Sequence, residues 1–225
     1  MFDLQKKRCH LSNLKISKSN LIFQNFGNLS LRINEDLFTI KPSGVNLKKI
    51  DHRNYPLISI KKKIFNWKLK PSVDTNFHLE IYKNFKNVNC IVHTHSKYAT
   101  IWAQACRSIP NLGTTHSDYW YKDIPITKKL SKKQIIKDYE KNIGKEIVNA
   151  LRKEFTCGML IANHGPITMG KNIEEATLYA ERLEYIAEMA YKTQILMNNK
   201  KSLISNDLAK KHFFRKHGAK SYYGQ

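Results

Sequence analysis

Two histidines stand two residues apart at the end of an apolar run, Cys90-Ile91-Val92-His93-Thr94-His95. Because side chains two apart on a β-strand point to the same face, both imidazoles can reach one ion. A catalytic zinc site needs at least one further protein ligand and an open position. Asp74 and His164, each at the end of another apolar or helical segment, are candidates for that role. The pattern indicates a metal site, although such a pair also arises by chance in a chain with nine histidines.

Two short loops combine a lysine with a hydroxyl side chain, Lys41-Pro42-Ser43-Gly44 and Lys70-Pro71-Ser72-Val73-Asp74. The second loop leads into a helical segment. Backbone N–H groups at a helix start favour phosphate, and a lysine adds a positive charge. Both loops are also typical of ordinary proline turns, so the residues alone leave phosphate binding and plain turns open.

A polar loop and the C-terminal segment hold further ionisable groups. His116 and Asp118 lie two residues apart in the stretch 113–119, a spacing that suits proton transfer. Either residue can instead be a helix cap or a hydrogen-bonding loop residue. His212 precedes a tail that ends in Tyr222-Tyr223-Gly224-Gln225, and paired tyrosines are unusual in a frayed terminus. We expect the tail, about 212–225, to dock on a protein surface, with or without a catalytic role.

The segments that must position these residues alternate between helices and strands. Apolar periodicity predicts helices at 2–16, 74–85, 98–106, 134–154, 173–197 and 206–214. It predicts strands at 29–33, 37–40, 57–60, 64–69, 90–95 and 157–162. In the first helix, the expected inward positions are Phe2, Leu4, Cys9, Leu11 and Leu14. With no repeat or linker, the pattern predicts one domain, 1–225, folded as an α/β sandwich with helices on both faces of one sheet.

The composition is that of a globular protein, with 41% hydrophobic and 25% charged residues among 225. No apolar run approaches the ~20 residues of a membrane helix, and the start lacks the apolar stretch of a signal peptide. We therefore expect a soluble, cytoplasmic protein with no membrane partner. Four dispersed cysteines without a CxxC pair predict reduced thiols, which excludes a disulfide framework or a zinc knuckle.

The charge is strongly positive, with 39 basic against 18 acidic residues and a net charge of +21. Such a balance suggests a nucleic-acid partner. Lysine outnumbers arginine 32 to 7, however, and the lysines are scattered along the chain. Groove readers and phosphate forks favour arginine. We interpret the charge as a solvated basic surface, and we expect no specific nucleic-acid partner.

Together, these stretches resemble the class II aldolase/epimerase family, and within it the L-ribulose-5-phosphate 4-epimerases. The resemblance covers nearly the whole chain. The matching stretches are Gly27-Asn28 with Ser30, Lys-Pro-Ser-Gly at 41–44, Pro-Ser-x-Asp-Thr at 71–75, Ile-Val-His-Thr-His-Ser at 91–96, Ala-Thr-Ile-Trp-Ala-Gln-Ala at 99–105, Gly-Thr-Thr-His-x-Asp-Tyr at 113–119, His-Gly-Pro at 164–166 and Arg-Lys-His-Gly-Ala-Lys-x-Tyr-Tyr-Gly-Gln at 215–225. Each stretch is modest, but their order and spacing are specific.

The resemblance implies a mainly antiparallel sheet, a fourfold homo-oligomer with active sites between subunits, and one divalent metal per subunit, usually Zn²⁺. It implies the metal ligands Asp74, His93, His95 and His164. It also implies a substrate site for a sugar phosphate that is formed by Asn28, Lys41, Ser43, Gly44 and Ser72. Asp118 resembles one proton-transfer residue, and Tyr223, from a neighbouring subunit, resembles the other. Thr115 and His212 resemble further contacts across that interface, at which the resemblance implies that the C-terminal tail, about 212–225, docks.

Two departures from the family pattern bear on activity. Val73 stands where the epimerases commonly have a second serine, which removes one hydroxyl donor from the expected phosphate site. Ala162-Asn163 precedes His164 and changes the neighbours of that ligand. Asp74 itself matches the epimerases, since the family's aldolases carry a glutamate base at this position.

The implied reaction converts L-ribulose 5-phosphate into D-xylulose 5-phosphate. Carbon 4 bears no acidic proton, so inversion requires cleavage of the C3–C4 bond and re-addition to the opposite face of the aldehyde. Three alternatives remain open: an aldolase on the same scaffold that releases its aldehyde, a basic nucleic-acid-binding protein, and an inactive relative kept for assembly. The source pathway, whether arabinose, ascorbate or another, is not encoded in the residues.

Overall fold

An antiparallel sheet forms the centre of the computed structural model, which describes residues 2–61, 68–198, 200, 203–219 and 221–223. Within these residues its strands are β1 Gly27–Arg32, β2 Leu37–Ile40, β3 Leu57–Ser59, β4 Cys90–Thr94, β5 Gly158–Leu160 and β6 Pro166–Gly170. They lie in the order β3-β2-β1-β4-β6-β5, and all neighbouring strands are antiparallel. β4 is therefore an inner strand with a partner on each side.

Helices cover both faces of this sheet. Their bounds are α1 Asp3–Ser17, α2 Thr75–Asn84, α3 Lys97–Gln104, α4 Thr114–Ser117, α5 Lys132–Ile136, α6 Tyr139–Lys153, α7 Ile173–Leu196 and α8 Asn206–Phe214. One apolar core joins α2 and α6 to the sheet, and a second joins α1 and α7 to its other face. A third core packs α3 against α7. The predicted sandwich with a central antiparallel sheet is confirmed.

The alternation along β4 explains why its histidines face α2. Cys90 and Val92 belong to the core on the α1 and α7 side, whereas Ile91 belongs to the core on the α2 side. His93 follows the direction of Ile91, and its ring meets that of Phe77 from α2 edge-on at 5.4 Å.

Helices α2 and α6 run side by side in the same direction. Near their starts, a Cβ on Gly144 would lie 2.8 Å from Phe77 Cα, so glycine permits this close approach. Near their ends, Arg152 Nη2 donates to Asn84 Oδ1 at 2.5 Å. The first turn of α6 therefore lies level with the first turn of α2, beside Asp74.

Several element predictions are wrong in detail. The helix expected at 134–154 is two helices, because Asp138 adopts a left-handed conformation (φ 60°) between them. Strand β6 is absent from the predicted strands, and it begins at Pro166, since proline is tolerated as the first residue of a strand. The strand expected at 64–69 falls largely on residues 64–67, which lie outside the described residues.

The inward face of α1 also differs from the prediction. Cys9 is buried, but Leu4 and Leu11 are 66% and 52% exposed. Asn13 is buried instead, where its amide donates to the carbonyls of Cys9 and Leu29 and accepts from Leu29 N. A polar anchor therefore replaces part of the expected apolar stripe.

The cysteines Cys9, Cys90, Cys106 and Cys157 are free, as predicted. Among the described residues, no helix combines the length and the apolar character that crossing a membrane requires.

Candidate metal and substrate site

Three histidines from two elements converge at one end of β4. His93 and His95 come from this strand end, and His164 comes from the turn between β5 and β6. One ring nitrogen from each lies within 4.8 Å of the others, and His93 Nε2 and His95 Nε2 are 3.2 Å apart. The structure thus brings together three of the four expected metal ligands.

The protonation of these rings suits a cation. His93 Nδ1–H donates to the Pro166 carbonyl at 2.9 Å, which leaves Nε2 unprotonated and facing the other two rings. Burial, together with the neighbouring imidazoles, lowers the pKa of His93 and of His95. Burial also lowers the pKa of His164, opposed by Asp74 and Glu140. Neutral imidazoles are the form that binds a divalent metal.

Unpaired polar atoms support the same conclusion. His164 Nδ1, Ser96 Oγ and Thr100 Oγ1 are buried without a hydrogen-bond partner among the described residues. Buried polar atoms of a native site normally have partners, so unpaired ones close to the histidines indicate a ligand site. The residues present therefore fit a divalent metal.

Close backbone contacts fix the turn that carries His164. A Cβ on Gly165 would lie 2.7 Å from the Thr94 carbonyl oxygen, so only glycine allows this approach to β4. Asn163 adopts a left-handed conformation (φ 59°), which asparagine tolerates, and its N–H donates to the Ala103 carbonyl at 2.9 Å. The departure at Ala162-Asn163 thus preserves the turn.

Asp74 lies beside the histidines but outside the group of three nitrogens. It precedes α2, and its Oδ2 accepts a hydrogen bond from Asn28 Nδ2 at 2.6 Å. Its charge reaches His95 and His164, since it raises the pKa of both against the effect of burial. Its assignment as a fourth ligand stays a prediction.

The two lysine-hydroxyl loops lie next to each other. Ser43 N donates to the Lys70 carbonyl at 2.9 Å, and Ser72 N donates to the Lys41 carbonyl at 3.0 Å. Ser72 Oγ accepts from Asn28 Nδ2 at 3.2 Å, which joins the loops to the Asp74 pair. Gly44 is exposed with φ +67°, and Val73 is 68% exposed. The expected phosphate residues Ser43, Gly44 and Ser72 therefore lie in two adjacent, hydrogen-bonded loops, in which Gly44 is exposed and Ser72 is buried.

Lys41 has a structural role that its sequence context did not predict. Its Nζ donates to the carbonyls of Asn25 and Gly27 at 2.8 and 2.7 Å, which holds the turn before β1. Burial lowers the pKa of Lys41, opposed by Asp74. The same turn presents Phe26, which is 53% exposed and whose ring centroid lies 5.8 Å from that of His95.

Asp118 lies in a second cluster with the C-terminal residues. Its carboxylate accepts from Arg215 Nη2 at 2.9 Å and from His212 Nδ1 at 3.1 Å, and Lys216 Nζ lies 3.2 Å away. Burial alone would raise the pKa of Asp118, but the hydrogen bonds from Lys216, His212 and Arg215 outweigh it and lower the pKa. Within this chain, His212, Arg215 and Lys216 of the C-terminal segment therefore contact Asp118.

Tyr223 belongs to the same cluster. The Arg215 guanidinium lies 4.5 Å from its ring centroid, while the ring remains 54% exposed. The expectation that Tyr223 and Asp118 act from different subunits concerns an assembly; within one chain, both residues contact Arg215. Thr115 is exposed, and His116 is buried with Nε2–H donating to the Lys122 carbonyl at 3.0 Å. Burial lowers the pKa of His116 to about 4, so its imidazole is neutral at neutral pH and does not belong to the charged cluster around Asp118.

The segment that follows Asp118 runs along the edge of the sheet far from β4. Ile126 bridges Leu160 of β5, so the segment following Asp118 lies beyond the β5 edge, three strand positions from β4. At about 4.8 Å per position, this segment is roughly 14 Å from the strand that carries His93 and His95.

Two site residues were missed in the sequence. Tyr139 and Glu140 form the first turn of α6, level with Asp74. Burial raises the pKa of Tyr139, aided by Glu140 and Asp74, and Glu140 opposes the lowering of the His164 pKa by burial. Tyr139 is 37% exposed. In the sequence, Asp138 lies inside the helix predicted at 134–154, and an aspartate there could have marked the start of a separate helix beginning with Tyr139 and Glu140.

A family model described as "Class II Aldolase and Adducin N-terminal domain" matches residues 10–191. Similar solved structures include an L-fuculose 1-phosphate aldolase, with 22% identity, TM-score 0.75, and coverage of 92% of this chain and 93% of that one. YgbL from Klebsiella pneumoniae, a putative aldolase/epimerase/decarboxylase, has 20% identity, TM-score 0.71, and coverage of 94% and 99%. A sugar-phosphate aldolase from Thermotoga maritima has 18% identity, TM-score 0.68, and coverage of 88% and 97%. These likenesses concern the fold, and the match of the family model over most of the chain shows that it belongs to the class II aldolase and adducin N-terminal domain family.

Proposed function

We propose that the chain is a metal-dependent 4-epimerase that interconverts L-ribulose 5-phosphate and D-xylulose 5-phosphate. The observation that carries this proposal is Asp74, an aspartate rather than a glutamate, paired with Asn28 at the edge of the histidine group. Aspartate is one methylene shorter than glutamate, and the Asn28 amide holds the Asp74 carboxylate in place. Asp74 therefore suits the role of a fixed metal ligand better than that of a mobile base.

The metal site is assigned to His93, His95 and His164, with Asp74 as the fourth ligand. A bound divalent ion, Zn²⁺ by preference for three nitrogens and one oxygen, supplies Lewis-acid stabilisation of negative charge on the ketose oxygens. The chain's own contribution is orientation: the Pro166 carbonyl fixes the His93 tautomer, and Asn28 fixes one oxygen of Asp74.

The phosphate group is assigned to the joined loops. Ser43 and Ser72 offer hydroxyl groups and Gly44 a backbone N–H, since the backbone N–H groups of Ser43 and Ser72 already donate to the Lys70 and Lys41 carbonyls. The start of α2 adds the positive end of its dipole. Tethering the phosphate retains the aldehyde fragment between cleavage and re-addition. Lys41 contributes by holding the turn that carries Asn28, and its positive charge favours the anionic substrate.

The second face of the aldehyde is assigned to the Asp118 cluster of a neighbouring subunit in a homotetramer. What supports this proposal is that Asp118, His212 and Arg215 form a cluster of their own, whereas the possible metal group contains His93, His95 and His164. Because Arg215 contacts both Asp118 and Tyr223, we assign both residues to the same neighbouring chain. His212 and Thr115 complete that surface.

A sugar-phosphate aldolase is the second candidate function. It is supported by the names of the similar structures, which include L-fuculose 1-phosphate aldolases. On the same substrate, an aldolase would release glycolaldehyde phosphate and dihydroxyacetone instead of re-forming a pentulose phosphate.

One incubation separates these candidates. Zn²⁺-loaded chain is mixed with L-ribulose 5-phosphate, and D-xylulose 5-phosphate and glycolaldehyde phosphate are both quantified, with His95→Asn as the inactive control. The epimerase predicts xylulose 5-phosphate without free aldehyde. Accumulation of aldehyde supports the aldolase, and the absence of both products refutes the proposed function.

A further inference from the structure

A buried polar ladder joins strand β1 to helix α2. Asn28, Ser30 and Arg32 alternate along β1 and share one face, and Asp74, His78 and Tyr82 recur every four residues at and along α2. Strand–helix interfaces are normally apolar, as is the rest of this core. Six polar residues in register at such an interface indicate a function beyond packing.

Hydrogen bonds join the two elements at three levels, from Asp74 just before α2 to Tyr82 in its last turn. Asn28 Nδ2 donates to Asp74 Oδ2 at 2.6 Å, and Ser30 Oγ lies 2.7 Å from His78 Nδ1 and 2.8 Å from the Tyr82 hydroxyl. Arg32 Nη2 donates to the Tyr82 carbonyl at 2.8 Å, and its guanidinium lies 4.7 Å from the Tyr82 ring centroid.

The middle of the ladder is fully enclosed. Ser30 and His78 are 0% exposed, and Tyr82 is 1% exposed. The direction of these hydrogen bonds follows from what each group can satisfy. If Tyr82 donates to Ser30 and Ser30 donates to His78 Nδ1, every hydroxyl hydrogen has an acceptor. The reverse direction leaves two buried groups unpaired, the Tyr82 hydroxyl hydrogen and the His78 Nε2 lone pair, whereas this direction leaves one, His78 Nε2–H, among the described residues. We therefore assign the proton of His78 to Nε2.

His78 links the ladder to the histidine group. It lies one helical turn after Asp74, and its ring stacks on that of Phe77 at 4.7 Å. The Phe77 ring in turn meets that of His93 edge-on at 5.4 Å. A change in the His78 ring therefore reaches both Asp74, through α2, and His93, through Phe77.

We propose that His78 is a positioning residue that, through its hydrogen bond to Ser30, sets Asp74 at the distance from the three histidines at which all four bind one metal ion. The inference rests on the proposed function, because it takes Asp74 as a ligand. The ladder fixes the rotation of α2 on β1, and an apolar interface would permit small slides. Metal ligands tolerate deviations of only about 0.2 Å.

The test is the Co²⁺ affinity of the purified full chain, measured by visible absorption without substrate. We expect His78→Phe to weaken Co²⁺ binding by about tenfold or more, the range seen when groups behind metal ligands are removed. His78→Asn should restore affinity to within about threefold, because its amide oxygen stands as many bonds from Cα as Nδ1 and accepts from Ser30. His78→Gln should not, because its amide stands one bond further out.

Ile81→Val is the matched control for destabilisation of α2, since Ile81 is 0% exposed on the same helix but outside the ladder. In an Asp74→Asn background, His78→Phe should cause no further loss of affinity. The inference is overturned if His78→Phe weakens binding no more than Ile81→Val, or if its effect persists undiminished without Asp74. A wild-type chain that binds no Co²⁺ overturns the proposed function as well, so the two failures are distinguishable.

Discussion

Gly165 lies where the turn that carries His164 approaches the end of β4, which carries His93 and His95. Replacing Gly165 by alanine tests how closely these two segments of the proposed metal site must approach. The added Cβ would lie 2.7 Å from the Thr94 carbonyl oxygen, against 3.4 Å for ordinary contact, so one of the two must move by about 0.7 Å. Thr94 lies between His93 and His95, and Gly165 follows His164. Whichever segment moves, His164 is displaced from the other two ligands.

The cost of overpacking sets the expected loss of stability, and the tolerance of metal–ligand distances sets the expected loss of metal affinity. Overpacking of this kind costs about 1–3 kcal/mol. For a chain of 225 residues, each kcal/mol lowers Tm by about 2–4 °C, so Gly165→Ala should lower Tm by roughly 2–12 °C. Because metal geometry tolerates only about 0.2 Å, a shift of about 0.7 Å should also weaken metal binding strongly.

The assay compares thermal unfolding of the metal-free chain with Co²⁺ titration of the folded chain. Gly113→Ala is the matched control, because a Cβ there meets nothing within 4 Å and its φ of −170° suits any residue. We expect the control to keep its Tm and its affinity. If Gly165→Ala matches Gly113→Ala in both measurements, the closeness of the two segments has no bearing on the site.

Four further predictions concern other parts of the molecule. Val73→Ser should lower KM several-fold without changing Tm, since the side chain is 68% exposed and a regained hydrogen bond contributes about 0.5–1.5 kcal/mol; an unchanged KM contradicts this. Asp118→Asn should lower Tm at neutral pH. That difference should disappear as the pH falls below 3.8 and through the lowered pKa of folded Asp118, because the cluster stabilises only the ionised carboxylate. A Tm difference that stays constant with pH argues against the cluster. Co-refolded His95→Asn and Asp118→Asn chains should regain about a quarter of wild-type activity, whereas Asp118→Asn with Tyr223→Phe should regain none; the opposite pattern would restore Tyr223 to a different chain. Any binding to duplex DNA at 50 mM salt should fall at least about a thousandfold by 200 mM, and sequence-selective binding at the higher salt refutes the surface interpretation of the charge.

The sequence was sufficient wherever a local pattern determines the outcome. Period-two alternation placed His93 and His95 on one strand face, and helical periodicity located α7 within one residue at each end. Tertiary contacts were not accessible in this way. Tyr139 lies beside Asp74 only because α6 packs in parallel with α2, and nothing local to either helix encodes that direction. Likewise, the docking of Arg215 on Asp118 joins residues 97 apart, so the partner of neither residue could be predicted.

The ladder shows why some of these failures occurred at functional positions. His78 and Tyr82 fit the apolar side of an amphipathic helix, and Ser30 reads as an ordinary strand residue, so each is unremarkable alone. The polar residues recur every two positions on β1 and every four positions on α2. This periodicity becomes informative only once the strand and the helix are known to pack face to face. A buried polar network is costly unless every member is satisfied, and this one leaves His78 Nε2 and Asn28 Oδ1 without a partner in the part of the chain that the structure describes. An apolar interface would serve stability as well, so its persistence beneath the metal ligands argues that the ladder holds geometry for the site rather than stability for the fold.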